Sequence, residues 1–239
     1  GFTGTPVREG EREKDKNTFD EFSPEDENYL HRYSVKEGID DELILPVYFT
    51  LRHEMKWQID ESGLDEEFEE QFRGLSTDEK RAVIREKVTS RMLAEIEPRV
   101  QKAVEVIDQH YDDSVAPNGW KGMVVTSSRQ SAAIYGERLI ELRSEEEVEV
   151  LYTSTKDDSD LIQQFHTDSE ERDSIVNEFK NEDNPKLLVV HNMLLTGFDA
   201  PVLKTIYLDR NLKNHNLMQA IARTNRPADG KENGEIVDF

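Results

Sequence analysis

The second half of the sequence alternates short apolar runs with amphipathic segments, and this alternation constrains the fold more than any other feature. Five apolar runs predict strands at residues 123–126, 148–152, 187–190, 205–208 and 235–239. Polar residues that suit helix N-termini precede the segments between them, and these residues predict a capping box at 127–130 and a helix cap at 167–170. Short apolar strands that alternate with helices form a parallel sheet with helices on both faces. The sequence therefore predicts an α/β fold.

The first 61 residues differ from this pattern and predict a separate segment. Residues 7–27 are charged and nearly devoid of apolar side chains, so we expect a mobile acidic loop there. The apolar run at 43–49 predicts a strand. Pro46 lies within this run and predicts an edge position or a bulge, because proline has no N–H to donate to a sheet.

Residues 62–111 predict a helical insertion. A capping box at 76–79 precedes apolar residues at every fourth position, and Pro98 is expected to end or kink that helix. A second apolar stripe continues to about His110, and residues 111–120 predict a linker. We therefore expect three regions, with boundaries at 1–61, 62–111 and 112–239, and the last is the α/β domain.

The composition limits the class of protein. The 239 residues suffice for one large domain with an appendage. The absence of cysteine excludes a disulfide framework and thiolate chemistry, and no apolar run approaches the roughly 20 residues of a membrane helix. The chain opens on GFTGTP, with neither an initiator Met nor a basic, apolar leader, so we expect a cytoplasmic piece of a longer protein.

The net charge of −22 at pH 7 bears on any phosphate-bearing partner, because an acidic surface repels phosphate. Two explanations remain open. In the first, carboxylates coat the solvent-facing sides while a local basic strip binds the ligand. Alternatively, the surface is that of a halophile, in which concentrated salt shortens the reach of charge repulsion to a few Å.

Three polar loops that follow predicted strands are the candidate ligand sites, namely residues 126–129, 191–201 and 209–216. Each leaves the carboxyl end of a strand, and that edge of an open parallel sheet is where ligands bind. The first loop has hydroxyls at a helix N-terminus, which suits a phosphate but is explained equally well as an ordinary cap. In the second loop, Gly197 permits close approach of a ligand and Asp199 can orient a cation or accept from a ribose hydroxyl.

The most informative side chains lie on a helix predicted at 217–224 and just after it. Gln219, Arg223 and Arg226 are spaced by four and three residues, so they share one helical face. Apolar neighbours indicate a partly buried helix, on which the two arginines are directed at a site. Paired guanidiniums recognise phosphate well. A surface salt bridge is the alternative, but the nearby loop with Gly197 and Asp199 favours a phosphate site.

Four segments resemble, in chain order, the motifs of superfamily-two helicases and translocases. They are Phe2–Pro6 for motif III, Met123–Gln130 for motif IV, Leu195–Pro201 for motif V and Gln219–Pro227 for motif VI. The wording TGFDAP followed by QAIARTNRP is similar to that of the R subunit, the motor and nuclease subunit, of type I restriction enzymes. Residues 29–48 are similar to the segment that follows motif III there, so the resemblance covers nearly the whole chain.

This resemblance implies a RecA-like P-loop NTPase-type lobe, the second lobe of an ATP-driven translocase on double-stranded DNA. ATP with Mg²⁺ would lie between this lobe and the first RecA-like lobe of the same full-length chain. The modification and specificity subunits of the restriction complex would be partners. Arg226 would act as an arginine finger with Arg223 beside it at the γ-phosphate, and such a finger accelerates phosphoryl transfer by about 10³ to 10⁵.

The resemblance also implies roles for the other candidate residues. Gln219 would shape the nucleotide cleft, and Gly197 and Asp199 would couple the nucleotide to DNA. The motif III residues on the nucleotide side are Thr3, Gly4 and Thr5. The residues that would contact the DNA backbone, which positions a duplex without reading its sequence, are Thr126, Ser127, Ser128, Arg129 and Thr196.

Two elements that ATP hydrolysis requires in this family are absent from the sequence. It contains neither a G-x-x-x-x-G-K-[ST] loop nor an Asp-Glu-x-His box. We therefore expect no metal site in this chain, and neither ATP hydrolysis nor DNA cleavage by these 239 residues alone. Two alternatives remain open: a lobe of another superfamily-two DNA or RNA helicase, and a non-catalytic nucleotide-binding or interaction module.

Overall fold

A single parallel sheet organises the part of the chain that the structure describes, which is residues 34–52, 95, 97–194, 197–210, 212 and 214–239 of a computed structural model. The strands are β1 Val47–Leu51, β2 Lys121–Thr126, β3 Val148–Leu151, β4 Leu187–Val190, β5 Leu203–Asp209 and β6 Gly234–Asp238. Their order in the sheet is β1-β6-β5-β2-β4-β3, and every pairing is parallel. The predicted parallel α/β fold is confirmed, with β5 and β2 at the centre.

Helices cover both faces of this sheet. They are α1 Val35–Asp40, α2 Glu97–His110, α3 Arg129–Leu142, α4 Asp160–Gln164, α5 Ser169–Asn181 and α6 Asn214–Thr224. One face packs with α2, α3 and α4 around side chains such as Val124 and Tyr207. The other face packs with α5 and α6 around side chains such as Val125 and Ile206. Neighbouring residues of one strand enter different cores because successive strand side chains point to opposite faces.

The edge strand β1 begins later than the apolar run predicts. Pro46 ends the irregular stretch, and its carbonyl oxygen accepts the N–H of Gly234, after which β1 runs beside β6. The predicted edge position is confirmed, because β1 stands last in the sheet. Residues 43–46 are not part of the strand.

The start of α3 lies one residue later than predicted. Ser128 is the N-cap of α3, and its Oγ accepts the N–H of Ser131, so the third helical position holds a serine and the predicted capping box at 127–130 is wrong. Asp168 caps α5, as the segment 167–170 predicts, and forms a capping box with Glu171. The predicted box at 76–79 lies outside the described residues.

Residues 97–118 pack against the sheet rather than linking two regions. Helix α2 begins at Glu97, with Pro98 in its first turn, where the missing N–H costs no helical hydrogen bond. A π-helical turn at Tyr111–Val115 and a 3-10 turn at Ala116–Asn118 follow, and both Tyr111 and Val115 are buried. The predicted linker is therefore part of the core. The division into regions at 1–61, 62–111 and 112–239 remains a prediction, and residues 53–94 lie outside the described part.

Candidate functional site

The connection between β4 and β5 runs from the carboxyl edge of the sheet to its amino edge. Both strands pair in parallel with β2, which lies between them, so they run in the same direction and the chain must return from the carboxyl edge to the amino edge before β5 can begin. At the carboxyl edge, the ring Nδ1 of His191 lies 3.2 Å from the carbonyl oxygen of Thr126. At the amino edge, the carbonyl of Val202 accepts the N–H of Lys121, the first residue of β2. The connection therefore starts at one edge and ends at the other.

Helix α6 runs in the same direction, from the end of β5 to the start of β6. Its 11 residues span about 16 Å, close to the length of a five-residue strand. Thr224, its last residue, approaches Gly234 so closely that an added Cβ would lie 2.5 Å from the Thr224 carbonyl oxygen. The carbonyl of Asn225 accepts the N–H of Leu45, just before β1. The C-terminal end of α6 thus lies at the amino edge.

This placement corrects one expectation. Arg223 and Arg226 were expected at the carboxyl edge together with the 126–129 loop. They lie instead at the amino edge, because a helix as long as the strands carries its last turn to the opposite side of the sheet. The predicted neighbourhood of the arginines and Asp199 is confirmed, since the connection brings that residue to the same edge.

The arginine cluster consists of Arg223, Arg226, Phe198 and Asp199. The Arg223 Nη1 donates to the carbonyl oxygen of Phe198, and its Nε lies 3.3 Å from the Gln219 carbonyl oxygen. The Arg226 Nε lies 3.3 Å from the Asp199 Oδ1. The Phe198 ring is buried against the sheet, 6.1 Å from the ring of Phe179. A buried aromatic side chain therefore anchors the loop that both arginines contact.

Arg223 and Arg226 differ in how far they are buried. Arg223 is half-buried, and burial together with the charge of Arg226 lowers its pKa, while Asp199 acts in the opposite direction. Arg226 and Asp199 have exposed fractions of 44% and 64%. An ion pair this exposed contributes about 0–1 kcal/mol, so another anion can replace the carboxylate. The cluster carries two positive charges against one negative, and it is a local basic site on a chain of net charge −22.

Two further predicted residues lie beside the cluster. Gly197 has φ +69°, in the left-handed region that glycine adopts without strain, and a Cβ built there would meet no atom within 4 Å. Gln219 is half-buried one helical turn before Arg223 and accepts the hydrogen bond from it through its backbone carbonyl. The open surroundings of Gly197 leave room for a ligand to approach the backbone.

The hydroxyls of the 126–129 loop are used within the protein. The Thr126 Oγ1 donates to the carbonyls of Ser128 and Val190, at 3.0 and 3.2 Å. The Ser128 Oγ donates to the Glu95 carboxylate at 2.6 Å while it caps α3. Thr126 and Ser128 are both buried, and their hydroxyls are bonded to groups of the protein itself.

The remaining members of this loop differ from that pair. The Ser127 Oγ is buried and has no hydrogen-bond partner among the described atoms. Arg129 forms an ion pair with Asp158 and donates to the carbonyl oxygen of Thr153 at 3.1 Å. Arg129 is half-exposed and is the one charged side chain that the loop offers to a partner.

A buried ionic network at the carboxyl edge was not predicted from the sequence. Asp209, the last residue of β5, accepts both Nη groups of Arg99 and, at 2.9 Å, the hydroxyl of Tyr135. Burial and the charge of Asp209 raise the pKa of Tyr135, which keeps its phenol a neutral donor. Arg99 and Asp209 are 110 residues apart in sequence, so no local pattern could have indicated the pair.

A second missed residue is Lys231, which is only 5% exposed at the amino edge. In the sequence it follows Asp229-Gly230, and a lysine at such a turn is usually solvated.

The motif III residues Thr3, Gly4 and Thr5, and also Thr196, lie outside the described residues. In the described ranges no group of three His, Cys, Asp or Glu residues is arranged to hold a metal ion, and no helix there is long and apolar enough to cross a membrane.

The chain is similar to subunits of type I restriction enzymes. Residues 145–239 match the family model of type I restriction enzyme subunit R domain 3, and residues 1–81 match that of the SWI2/SNF2 ATPase. The MjaVIIP endonuclease subunit of a type I restriction enzyme from Methanocaldococcus jannaschii is 35% identical over 268 residues, covering 100% of this chain and 25% of that protein. The HindI endonuclease subunit from Haemophilus influenzae is 30% identical over 251 residues, covering 100% of this chain and 22% of that protein.

The solved structures agree in fold. A fragment structure of an HsdR subunit of a type I restriction enzyme from Vibrio vulnificus YJ016 matches with a TM-score of 0.61 at 18% identity, covering 99% of this chain and 38% of that one. The predicted RecA-like fold, a parallel sheet flanked by helices, is confirmed. The chain spans about a quarter of the length of the curated relatives that it matches. It belongs to the family of type I restriction enzyme R subunits.

Proposed function

We propose that this chain is the second motor lobe of an ATP-driven translocase on double-stranded DNA, within the R subunit of a type I restriction enzyme. The observation that carries the proposal is the arginine cluster. It joins two guanidiniums and the loop at 197–201 at one edge of a RecA-like sheet. The lobe would close on ATP that is held by the first RecA-like lobe of the full-length subunit.

The residues present fit one side of a nucleotide site. Guanidiniums suit phosphate oxygens, whereas the described residues include no cluster of carboxylates for Mg²⁺, so the first lobe would hold the metal ion. When bound, ATP with Mg²⁺ supplies the phosphoryl group and neutralises much of its charge. Arg223 and Arg226 would stabilise the charge that spreads over the equatorial oxygens during transfer. A rate gain of about 10³ to 10⁵ corresponds to roughly 4 to 7 kcal/mol of transition-state stabilisation.

The exposed pair of Arg226 with Asp199 suits an arginine that must change its partner. In the absence of nucleotide, the carboxylate keeps the guanidinium at the edge of the cleft at little energetic cost. A phosphate that replaces the carboxylate would release the side chain of Asp199. Nucleotide binding would in this way change the contacts of the 191–202 connection.

That connection supports coupling between nucleotide and DNA. It begins at His191, whose ring contacts the Thr126 carbonyl beside the proposed DNA-contact loop, and it ends beside the arginine cluster. We propose that DNA is contacted by Thr196, by Arg129 and by backbone N–H groups of the loop, and that Ser127, whose hydroxyl is buried, helps to shape the loop. Thr126 and Ser128, whose hydroxyls are bonded internally, would shape the loop.

Substitution of Arg226 tests the proposal in the intact R subunit, assembled with its modification and specificity subunits. Arg226→Ala is expected to lower the kcat of DNA-stimulated ATP hydrolysis by about 10³-fold or more, with little change in KM for ATP. Arg138→Ala is the matched control, because Arg138 pairs with Glu141 at the surface of α3. Unchanged hydrolysis after Arg226→Ala would remove this residue from catalysis and favour an interaction module.

Two further measurements separate the alternatives. Stimulation by RNA rather than by double-stranded DNA would identify a lobe of another superfamily-two helicase. The 239 residues alone should hydrolyse no ATP, because the sequence contains no phosphate-cradling loop. DNA-stimulated hydrolysis by the isolated chain would contradict the assignment of two lobes to one site.

A further inference from the structure

We propose that Lys231 is a positioning residue for Arg226, because its ammonium group ties the backbone of Arg226 to the loop that carries Asp199. The inference rests on the proposed function, since the residue positioned is the proposed arginine finger. It adds a residue that lies outside all four helicase-like motifs. It also explains how an arginine outside a helix is held in place.

The hydrogen bonds of Lys231 carry this inference. Its Nζ donates to the carbonyl oxygens of Pro201 at 2.9 Å, Leu203 at 2.7 Å and Arg226 at 3.1 Å. An ammonium group has three donors, so all of them are used. The three acceptors belong to three backbone segments: the end of the 191–202 connection, the start of β5 and the turn after α6. One side chain therefore fixes the relative position of these segments.

Arg226 needs such an anchor because α6 ends at Thr224. Beyond that residue no helical hydrogen bonds restrain the backbone. The chain folds back through Gly230, which has φ +76°, and the Lys231 N–H donates to the Ala228 carbonyl at 3.0 Å. This turn returns the lysine side chain to the Arg226 carbonyl. Lys231 therefore holds the backbone of Arg226 and leaves its guanidinium available to a ligand.

The energetic cost of burying this lysine argues for a specific role. Lysine is almost never fully buried unless its charge is compensated. Burial, together with the charge of Lys204, lowers the pKa of Lys231 to about 8, while three carbonyl acceptors favour the protonated form. An apolar side chain of similar length would avoid the desolvation cost but would leave three backbone carbonyls without their donor.

The test uses Lys231→Met in the intact R subunit, with Lys204→Met as the matched control. Lys204 is the neighbouring lysine in β5, but its Nζ donates to the carbonyl of Ser114, away from the arginine cluster. We expect Lys231→Met to lower the kcat of DNA-stimulated ATP hydrolysis by about 10- to 100-fold with little change in KM for ATP, because small misplacements of a catalytic group have effects of this size. The control should retain wild-type kinetics.

A double-mutant cycle with Arg226→Lys separates positioning from general stability. If Lys231 acts through Arg226, Lys231→Met should lower kcat much less in the Arg226→Lys background than in the wild type. If the fold losses in kcat caused by the two single substitutions multiply in the double variant, the inference is overturned. If Arg226→Lys lowers kcat while Lys231→Met does not, only the lysine inference fails. If neither Arg226→Ala nor Arg226→Lys affects hydrolysis, the proposed function itself fails.

Folding is checked by circular dichroism and thermal unfolding of each variant. Should Lys231→Met not fold, Lys231→Gln replaces it in the same cycle, because the amide keeps two N–H donors. Failure of both variants to fold would show that Lys231 is required for stability, and the positioning role would be rejected.

Discussion

Removal of Arg99 should destabilise the lobe far more than removal of a surface arginine. Arg99 reaches from α2 across the carboxyl edge of the sheet and donates both Nη groups to Asp209. The exposed fractions of the two side chains are 14% and 3%. In Arg99→Met, the Asp209 carboxylate would keep only the neutral hydroxyl of Tyr135 as a partner in the network. The change therefore leaves a buried charge without its counter-ion.

The expected size follows from the burial of Asp209. Breaking a buried ion pair by removing one partner costs about 3 to 5 kcal/mol, against a total of about 5 to 15 kcal/mol for a typical domain. Tyr135→Phe should cost less, about 1 to 3 kcal/mol, because the ion pair survives and only one hydrogen bond is lost. The double variant Arg99→Met/Asp209→Leu should be more stable than Arg99→Met, because no charge is left unpaired.

Urea unfolding of the chain at pH 7, followed by circular dichroism, gives these free energies by linear extrapolation. Arg138→Met is the matched control: Arg138 is 28% exposed and pairs with Glu141 at the surface, so its loss should cost less than about 1 kcal/mol. A loss for Arg99→Met no larger than that of the control would refute the reasoning. A double variant as unstable as Arg99→Met would show that packing of the arginine stem, rather than the unpaired carboxylate, sets the cost.

Two other predictions concern charge. The pKa of Asp168 is lowered because its carboxylate accepts the N–H groups of Glu171 and Glu170, so its stabilising effect is present above the usual value of 3.8 and is lost as pH falls through the lower folded value. The stability difference between wild type and Asp168→Asn should therefore shrink below about pH 3.8, and a difference that does not vary with pH would contradict this. If the net charge of −22 reflects a halophile's surface, the melting temperature should rise steeply between low salt and molar KCl, where the Debye length is about 3 Å. A flat response would leave the excess of carboxylates unexplained.

Local patterns in the sequence predicted much of the fold. Apolar runs located the strands of the 121–239 region because a buried parallel strand has apolar side chains on both faces. Cap positions were predicted to within one residue, since Ser128 and Asp168 act on the helices that immediately follow them. The neighbourhood of Arg223 and Asp199 was also predicted, because the two motifs that carry them are distinctive in wording and order.

The sheet order decided the features that sequence analysis missed or misplaced. Because β4 and β5 are parallel, with β2 between them, the 191–202 connection returns to the amino edge, and Asp199 joins the arginines there. The same order brings Arg99 to Asp209 over 110 residues, and Lys231 to Leu203 over 28. Strand order depends on how helices and strands pack as a whole, and the residues near each strand do not encode it. The sequence by itself therefore determined which segments carry the candidate chemistry, and the tertiary structure alone decided which of them meet.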